Sequence, residues 1–76
     1  MITVKLYGLL RIDSGIKECQ IEAGTIKDVK NHLNLCGISQ QSLNSCIVLV
    51  NGKSVGKRVI LQDGDVVQLL SPVAGG

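Results

Sequence analysis

The chain opens with a strict alternation of apolar and polar side chains. Residues 2–7 place Ile, Val and Leu at every second position, which is the period of a strand with one buried face. Gly8 interrupts this alternation, and the segment 8–15 predicts a turn or wide loop. A second strand is predicted over 16–22, so the N-terminal part of the chain is expected to form a β-hairpin.

An amphipathic helix is predicted next. Thr25 is followed three residues later by Asp28, the spacing of a capping box at a helix N-terminus. The apolar stripe of this helix consists of Ile26, Val29 and Leu33. Gly37 is typical of a left-handed stop after a helix. The polar segment 39–45 that follows, rich in Gln, Ser and Asn, predicts a loop.

The second half of the chain predicts strands separated by turns. The continuous apolar run 47–50 indicates a short strand covered on both faces. Asn51-Gly52 is a strong hairpin signal, and a short edge strand is expected over 53–61. Asp63-Gly64-Asp65 predicts a turn, and a last apolar strand is expected over 66–70.

This ββαββ order predicts an α+β fold of the β-grasp, or ubiquitin-like, type. We expect a mixed sheet of four to five strands with one main helix packed across one face. The last strand is expected to lie beside the first in the middle of the sheet. The predicted organisation is a β-grasp domain over residues 1–70 and a flexible C-terminal tail over 71–76.

Composition narrows the possible functions. The 76 residues include no Phe or Trp, and Tyr7 is the only aromatic residue, so the core must be aliphatic. A net charge of +2 and the lack of aromatic stacking platforms exclude nucleic acid as a partner. The three cysteines are widely spaced, and the chain shows no secretory or membrane-spanning segment. These features predict a cytoplasmic protein with free thiols, no metal site and no membrane contact.

Candidate sites inside the domain have simpler explanations. Gly52-Lys53-Ser54 resembles part of a phosphate loop, but that motif needs glycine where Ile47 stands. Asp63 and Asp65 are explained by the turn between them, and His32 is expected to be a surface residue. Lys53, Lys57 and Arg58 form a loose basic cluster, which is expected to be a solvated edge face or, as the alternative, a docking surface for an acidic patch on a partner. The sequence therefore predicts no nucleotide or cofactor site of its own.

The C-terminal tail is the part of the sequence that predicts a chemical function. It reads Ser71-Pro72-Val73-Ala74-Gly75-Gly76. Pro72 prevents continuation of the last strand, and six extended residues carry a carboxylate about 20 Å. The two final glycines suit passage through a tunnel too narrow for a Cβ.

A carboxylate needs activation before it reacts, so a partner must supply ATP and form an acyl-adenylate at Gly76. Attack by sulfur then gives a thiocarboxylate, and attack by an amine gives an amide.

Two stretches resemble the MoaD/ThiS family of sulfur carriers. The segment 61–67, Leu-Gln-Asp-Gly-Asp-Val-Val, with the tail 71–76, resembles the family ending L-x-D-G-D-x-V…P-V-x-G-G. Leu9-Leu10-Arg11 with Gly15 resembles the loop after the first strand in the MoaD branch, with Ile12 in place of Glu. Pro72 and this loop make the chain most similar to MoaD, the small subunit of molybdopterin synthase.

The resemblance implies a cosubstrate whose partners hold the catalytic side chains. An E1-like, ATP-dependent enzyme adenylates Gly76, and a sulfur donor converts it to the thiocarboxylate. The tail then enters the larger catalytic subunit of molybdopterin synthase, where the exposed sheet face docks. The residues implied to line the channel are Pro72, Val73, Ala74 and Gly75. Alternatives are a ThiS-like carrier for thiamin biosynthesis, a ubiquitin-like protein modifier, and a plain interaction module that makes no use of the carboxylate.

Overall fold

The computed structural model describes residues 1–56 and 58–71. In chain order its elements are β1 (Ile2–Tyr7), α1 (Leu9–Ser14), β2 (Glu18–Ile21), α2 (Ile26–Leu35), α3 (Gln40–Ser45), β3 (Ile47–Val50), β4 (Lys53–Ser54) and β5 (Val66–Leu70).

The strands form one mixed sheet in the order β2-β1-β5-β3-β4. β5 lies parallel to β1, with Thr3 opposite Val66 and Tyr7 opposite Leu70. The other neighbouring strands are antiparallel. The last strand therefore lies beside the first in the middle of the sheet, which confirms the predicted β-grasp arrangement.

One aliphatic core lies between the sheet and the helices. Successive strand residues point to opposite faces, so the inward positions of β1 and β5 are buried while their neighbours are partly exposed. The buried apolar residues are Ile2, Val4, Leu6, Leu10, Ile21, Ile26, Val29, Leu33, Ile38, Leu43, Val50, Leu61, Val67 and Leu69. This set includes the predicted stripe of α2, and that prediction is confirmed.

The ends of α2 follow the local sequence signals. The Thr25 hydroxyl accepts a hydrogen bond from the Asp28 N–H at 3.2 Å. The Asp28 carboxylate accepts one from the Gly24 N–H at 3.1 Å, so the reciprocal bond reaches one residue before the N-cap. At the other end Gly37 has a φ of 106°, and the Ile38 N–H returns to the Leu33 carbonyl at 3.1 Å. The predicted helix, with its start and its stop, is confirmed.

Two segments predicted as loops are helical. The segment 8–15 contains α1, which buries Leu10 and ends at Gly15 with a φ of 74°. The segment 39–45 contains α3, in which the Ser39 hydroxyl accepts from the Ser42 N–H at 3.2 Å. Leu43 is fully buried in the core. Both loop predictions are wrong because each short helix is secured by one buried leucine, and one buried position does not define a helical period.

All five strands lie where they were predicted, and β1, β3 and β5 have the predicted bounds, whereas β2 and β4 are shorter than predicted. β2 is shorter than 16–22, and β4 covers only Lys53–Ser54, followed by an isolated bridge between Thr25 and Ile60. Ile47 is 51% exposed, so the prediction that β3 is covered on both faces is wrong: the described helices pack on the other face. The Asn51-Gly52 turn is confirmed, with φ values of 52° and 81°.

Candidate functional site

The tail leaves the domain from the middle of the sheet. β1 and β5 are parallel, so both end at the same edge, where Tyr7 and Leu70 are cross-strand partners. The predicted site residues Pro72, Val73, Ala74, Gly75 and Gly76 lie outside the described residues. The structure describes the point at which the tail leaves the last strand.

Ser71 is the one residue of the predicted tail within the described part of the chain. Its hydroxyl oxygen accepts a hydrogen bond from the Leu9 N–H at 2.8 Å and donates to the Tyr7 carbonyl at 3.5 Å. Gly8 lies against it, and a Cβ built on Gly8 would stand 2.3 Å from the Ser71 oxygen. The base of the tail is therefore held between the end of β1 and the start of α1.

An apolar row crosses the open face of the sheet, the face turned away from the helices. Tyr7 pairs with Leu70, which in turn pairs with Ile47 on β3. Leu49 follows in the next row opposite Gln68, whose amide donates to the Tyr7 hydroxyl at 3.3 Å. Partly exposed aliphatic groups therefore lie beside the residue from which the tail departs.

Basic side chains border this face on the β2 side. Lys5, Arg11 and Lys17 surround a small cavity of about 110 Å³ together with Glu18. Lys5 lies 3.9 Å from the Glu18 carboxylate, and both side chains are largely exposed, so this ion pair contributes little to stability. Arg11, which belongs to the segment resembling the MoaD loop, is thus on α1 beside the open face.

The turn residues behave as predicted. Asp65 accepts hydrogen bonds from the Gln62 N–H at 2.9 Å and from the Asn51 amide at 3.0 Å, which explains its position without catalysis. The Gln62 backbone bond and the Asn51 side chain hold the pKa of Asp65 below its usual value. Asp63 pairs with the Met1 amino group, and this hydrogen bond and charge lower its pKa as well.

Other candidate groups stay apart from this region. Gly52-Lys53-Ser54 forms a hairpin turn entering β4, so no helix begins there to bind a phosphate. His32, Lys53 and Arg58 are exposed, and Lys57 lies outside the described residues. Within residues 1–56 and 58–71, no cluster of His, Cys, Asp and Glu is placed to hold a metal ion.

The three cysteines are free thiols. Burial raises the pKa of the Cys19 thiol, and the nearby Cys36 and Glu18 raise it further. Burial also raises the pKa of the Cys46 thiol, although Lys30 acts in the opposite direction. Since the thiolate is the nucleophile, neither partly buried thiol is activated.

The family model of the ThiS family matches this chain over residues 4–76. The chain belongs to the ThiS family. This is the ubiquitin-like sulfur carrier family, of MoaD/ThiS type, indicated by the sequence resemblance. No curated protein sequence matches the chain significantly.

Solved structures similar to this ThiS-family chain include proteins found with partners. The complex of subunits 1 and 2 of molybdopterin-converting factor from Helicobacter pylori 26695 matches with 26% identity and a TM-score of 0.76, covering 99% of this chain and 97% of that chain. Small archaeal modifier protein 1 from Methanosarcina acetivorans matches with 26% identity and a TM-score of 0.80, covering 99% and 95%. The Amycolatopsis orientalis BexX/CysO complex matches with 26% identity and a TM-score of 0.69, covering 100% of both chains.

No signal in the sequence indicated which residues join the tail to the domain. Ser71, Gly8 and Leu9 are brought together only by the parallel pairing of β1 with β5. The membership of the apolar row was also missed, although the alternation in β1 already placed Tyr7 on the face opposite the core. No helix in the described part of the chain combines the length and apolar character needed to cross a membrane.

Proposed function

We propose that this protein carries sulfur as a thiocarboxylate on Gly76. The observation that carries the proposal is the family match over residues 4–76, which extends through the Gly75-Gly76 pair. In the proposed reaction, a Gly76 carboxylate oxygen attacks the α-phosphorus of ATP and pyrophosphate leaves. Hydrosulfide delivered by the sulfur donor then attacks the acyl carbon, AMP leaves with the electron pair of the broken C–O bond, and loss of the S–H proton leaves the thiocarboxylate.

The chemistry is assigned to partner enzymes, and the protein acts as a cosubstrate. An E1-like, ATP-dependent adenylating enzyme supplies the nucleotide, and a separate donor supplies the sulfur. The raised pKa values of the Cys19 and Cys46 thiols support this division of roles. We place the exchange in the cytoplasm, where these partners and reduced thiols occur together.

Docking is proposed to use the open sheet face. The row formed by Tyr7, Leu70 and Ile47 lies next to Ser71, so a partner that covers this row also receives the start of the tail. Ile47 is 51% exposed, and its burial on docking is favourable by the hydrophobic effect. Pro72, Val73, Ala74 and Gly75 are then proposed to line the partner's channel in extended form.

We propose that this protein acts as the small subunit of molybdopterin synthase. The larger catalytic subunit of that enzyme is then the partner that binds the acceptor of the sulfur. The ending Pro72-Val73-Ala74-Gly75-Gly76 supports this assignment, as does the similarity to the H. pylori molybdopterin-converting factor complex. A ThiS-like role in thiamin biosynthesis is the alternative within the carriers. Conjugation to lysines through Gly76 is a second candidate, favoured by the similarity to small archaeal modifier protein 1.

Intact-mass measurement tests these functions directly. The protein is co-expressed with its activating enzyme and a sulfur source, then purified under reducing, anaerobic conditions. We expect a species in which one oxygen at Gly76 is replaced by sulfur, and fragmentation should assign the change to the last residue. Isopeptide adducts without any sulfur-containing species would favour the modifier. Unmodified protein alone would contradict both functions.

A further inference from the structure

The first helix is capped by the base of the tail. α1 receives no capping hydrogen bond from the side chain before it, because its N-cap is Gly8. Instead the Leu9 N–H donates to the Ser71 hydroxyl oxygen at 2.8 Å, across 62 residues of sequence. This bond satisfies one of the amide groups that a helix N-terminus leaves without an intrahelical acceptor.

Gly8 is shaped to allow this contact. Its φ of 64° and ψ of −139° lie in a region that is nearly restricted to glycine. A Cβ there would stand 2.3 Å from the Ser71 oxygen, so the hydroxyl would have to leave its present position. The backbone conformation therefore favours glycine, and the missing Cβ leaves room for the Ser71 hydroxyl at the end of β1.

We propose that Ser71 is a positioning residue for the chemistry at Gly76. This inference rests on the proposed function and assigns to Ser71 a part in it. With Leu70 in β5 and Ser71 held by Leu9, residues 72–76 separate the last anchored position from the carboxylate, a reach of about 17 Å. The hydroxyl fixes where the tail starts, beside the apolar row that docks.

The hydrogen bond between Ser71 and Leu9 affects entry of the tail into the partner's site more than it affects docking of the domain. Releasing Ser71 adds one backbone residue to the part of the chain that must be ordered when the carboxylate enters the partner's site. Ordering one residue costs enough to lower the occupancy of the productive arrangement by about tenfold. The sheet face is unchanged, so the affinity of the docked domain stays the same. The expected signature is a lower kcat with an unchanged KM.

A set of matched variants tests the proposal by ATP–pyrophosphate exchange with the activating enzyme. Ser71→Ala should lower kcat about threefold to tenfold at constant KM. Ser71→Thr keeps the hydroxyl and should restore kcat, whereas Ser71→Val has the shape of threonine without the hydroxyl and should not. The threonine–valine comparison also decides the matter if the alanine variant does not fold.

Ser14→Ala is the structural control. The Ser14 hydroxyl donates to the Leu10 carbonyl at 2.6 Å and accepts from the Ile16 N–H at 3.0 Å, so this change loosens the other end of α1 without touching the tail. It should leave both kcat and KM unchanged. Amide exchange at Leu9, followed by NMR on the free protein, should accelerate in Ser71→Ala and Ser71→Val and stay slow in Ser71→Thr.

The outcomes separate this inference from the proposed function. If the parent protein is activated and Ser71→Val matches Ser71→Thr in kcat, Ser71 has no positioning role and the inference alone is overturned. The inference is likewise overturned if Ser14→Ala lowers kcat as much as Ser71→Ala. If the parent protein itself supports no exchange, the proposed function fails, and the inference that rests on it fails too.

Discussion

The carboxamide of Asn51 bridges Asp65 and the backbone of β5. Its nitrogen donates to the Asp65 carboxylate at 3.0 Å, and its oxygen accepts from the Val66 N–H at 3.0 Å. The other Asp65 oxygen accepts from the Gln62 N–H at 2.9 Å. One carboxylate thus ties the β3–β4 turn to the turn that leads into the central strand.

This network predicts a pH-dependent loss of stability. The folded state lowers the pKa of Asp65 below its ordinary value of 3.8, so the folded protein binds this proton less readily than the unfolded chain. The stabilisation is complete above the ordinary value and is lost as the pH falls through the folded-state pKa. We expect the stability difference between the parent and Asp65→Asn, measured by urea unfolding, to shrink with acidification.

The comparison of the parent with Asp65→Asn isolates the contribution of Asp65 to the pH dependence of stability. Asp63 also has a lowered pKa, but it is present in both proteins, so its contribution cancels in the difference. A difference that stays constant from neutral to acidic pH would show that the charge of Asp65 does not stabilise the turn.

A second prediction concerns α3, a helix that the hydrophobic pattern did not predict. Leu43 on α3 is fully buried, so Leu43→Ala should destabilise the fold by about 2–4 kcal/mol through lost burial and the cavity left behind. Leu35→Ala is the matched control, because Leu35 ends α2 with 87% exposure and should change stability by less than about 0.5 kcal/mol. Equal effects of the two changes in urea unfolding would contradict the packing of α3.

The contrast between α2 and α3 shows what sequence could and could not predict. α2 repeats an apolar residue at helical spacing and begins with a capping pair, so local signals sufficed. α1 and α3 each bury one leucine, Leu10 and Leu43, and their formation depends on a core built by other elements. The bounds of β1, β3 and β5 were predictable from their apolar patterns and the turns beside them. The bounds of β2 and β4 were not, because pairing with neighbouring strands decides where those two strands stop.

The candidate site likewise has one part that the sequence predicts and one part that it does not. The chemistry of the tail was readable because Pro72, Gly75 and Gly76 have strong local meaning. The contact of Ser71 with Gly8 and Leu9 could not be predicted from the sequence, since it depends on the parallel pairing of β1 with β5. The separation of these residues along the chain does not indicate how close they are in space.

The third prediction tests the tail. Appending Ala after Gly76 moves the carboxylate by about 3.5 Å, and Gly75→Val places a branched side chain where the narrow channel is proposed. Adenylation, measured as ATP–pyrophosphate exchange, should fall by about 100-fold or more in both proteins. Both changes leave the side chains of the described core as they are, so the free energy of unfolding should stay within about 0.5 kcal/mol of the parent.

Binding gives the control for this experiment. Both tail variants should retain part of their affinity for the activating enzyme, because the row of Tyr7, Leu70 and Ile47 is intact. Full activation of the Ala-extended protein would show that the carboxylate has no special role, and the chain would then be an interaction module.

The fourth prediction concerns the thiols. Replacing Cys19, Cys36 and Cys46 together with Ser or Ala should leave sulfur acceptance at Gly76 unchanged, because the proposed chemistry uses the carboxylate. A loss of about 1–3 kcal/mol in stability is expected, mainly from Cys19 and Cys46, which pack against the core. Intact-mass analysis of the thiocarboxylate checks the outcome. A folded triple variant that no longer accepts sulfur would show that a thiol takes part.

The central position of β5 also has a consequence for biosynthesis. The strand that fills the middle of the sheet, Val66–Leu70, emerges late from the ribosome, while its parallel neighbour β1 emerges first. Until β5 arrives, β1 and β3 lack the strand that lies between them, and contacts so distant in sequence form slowly. Nascent chains interrupted before Val66 therefore lack the middle of the sheet and the Leu70 position of the apolar row. For the proposed docking, synthesis through Leu70 is therefore a precondition, because a chain that stops earlier lacks one member of the apolar row.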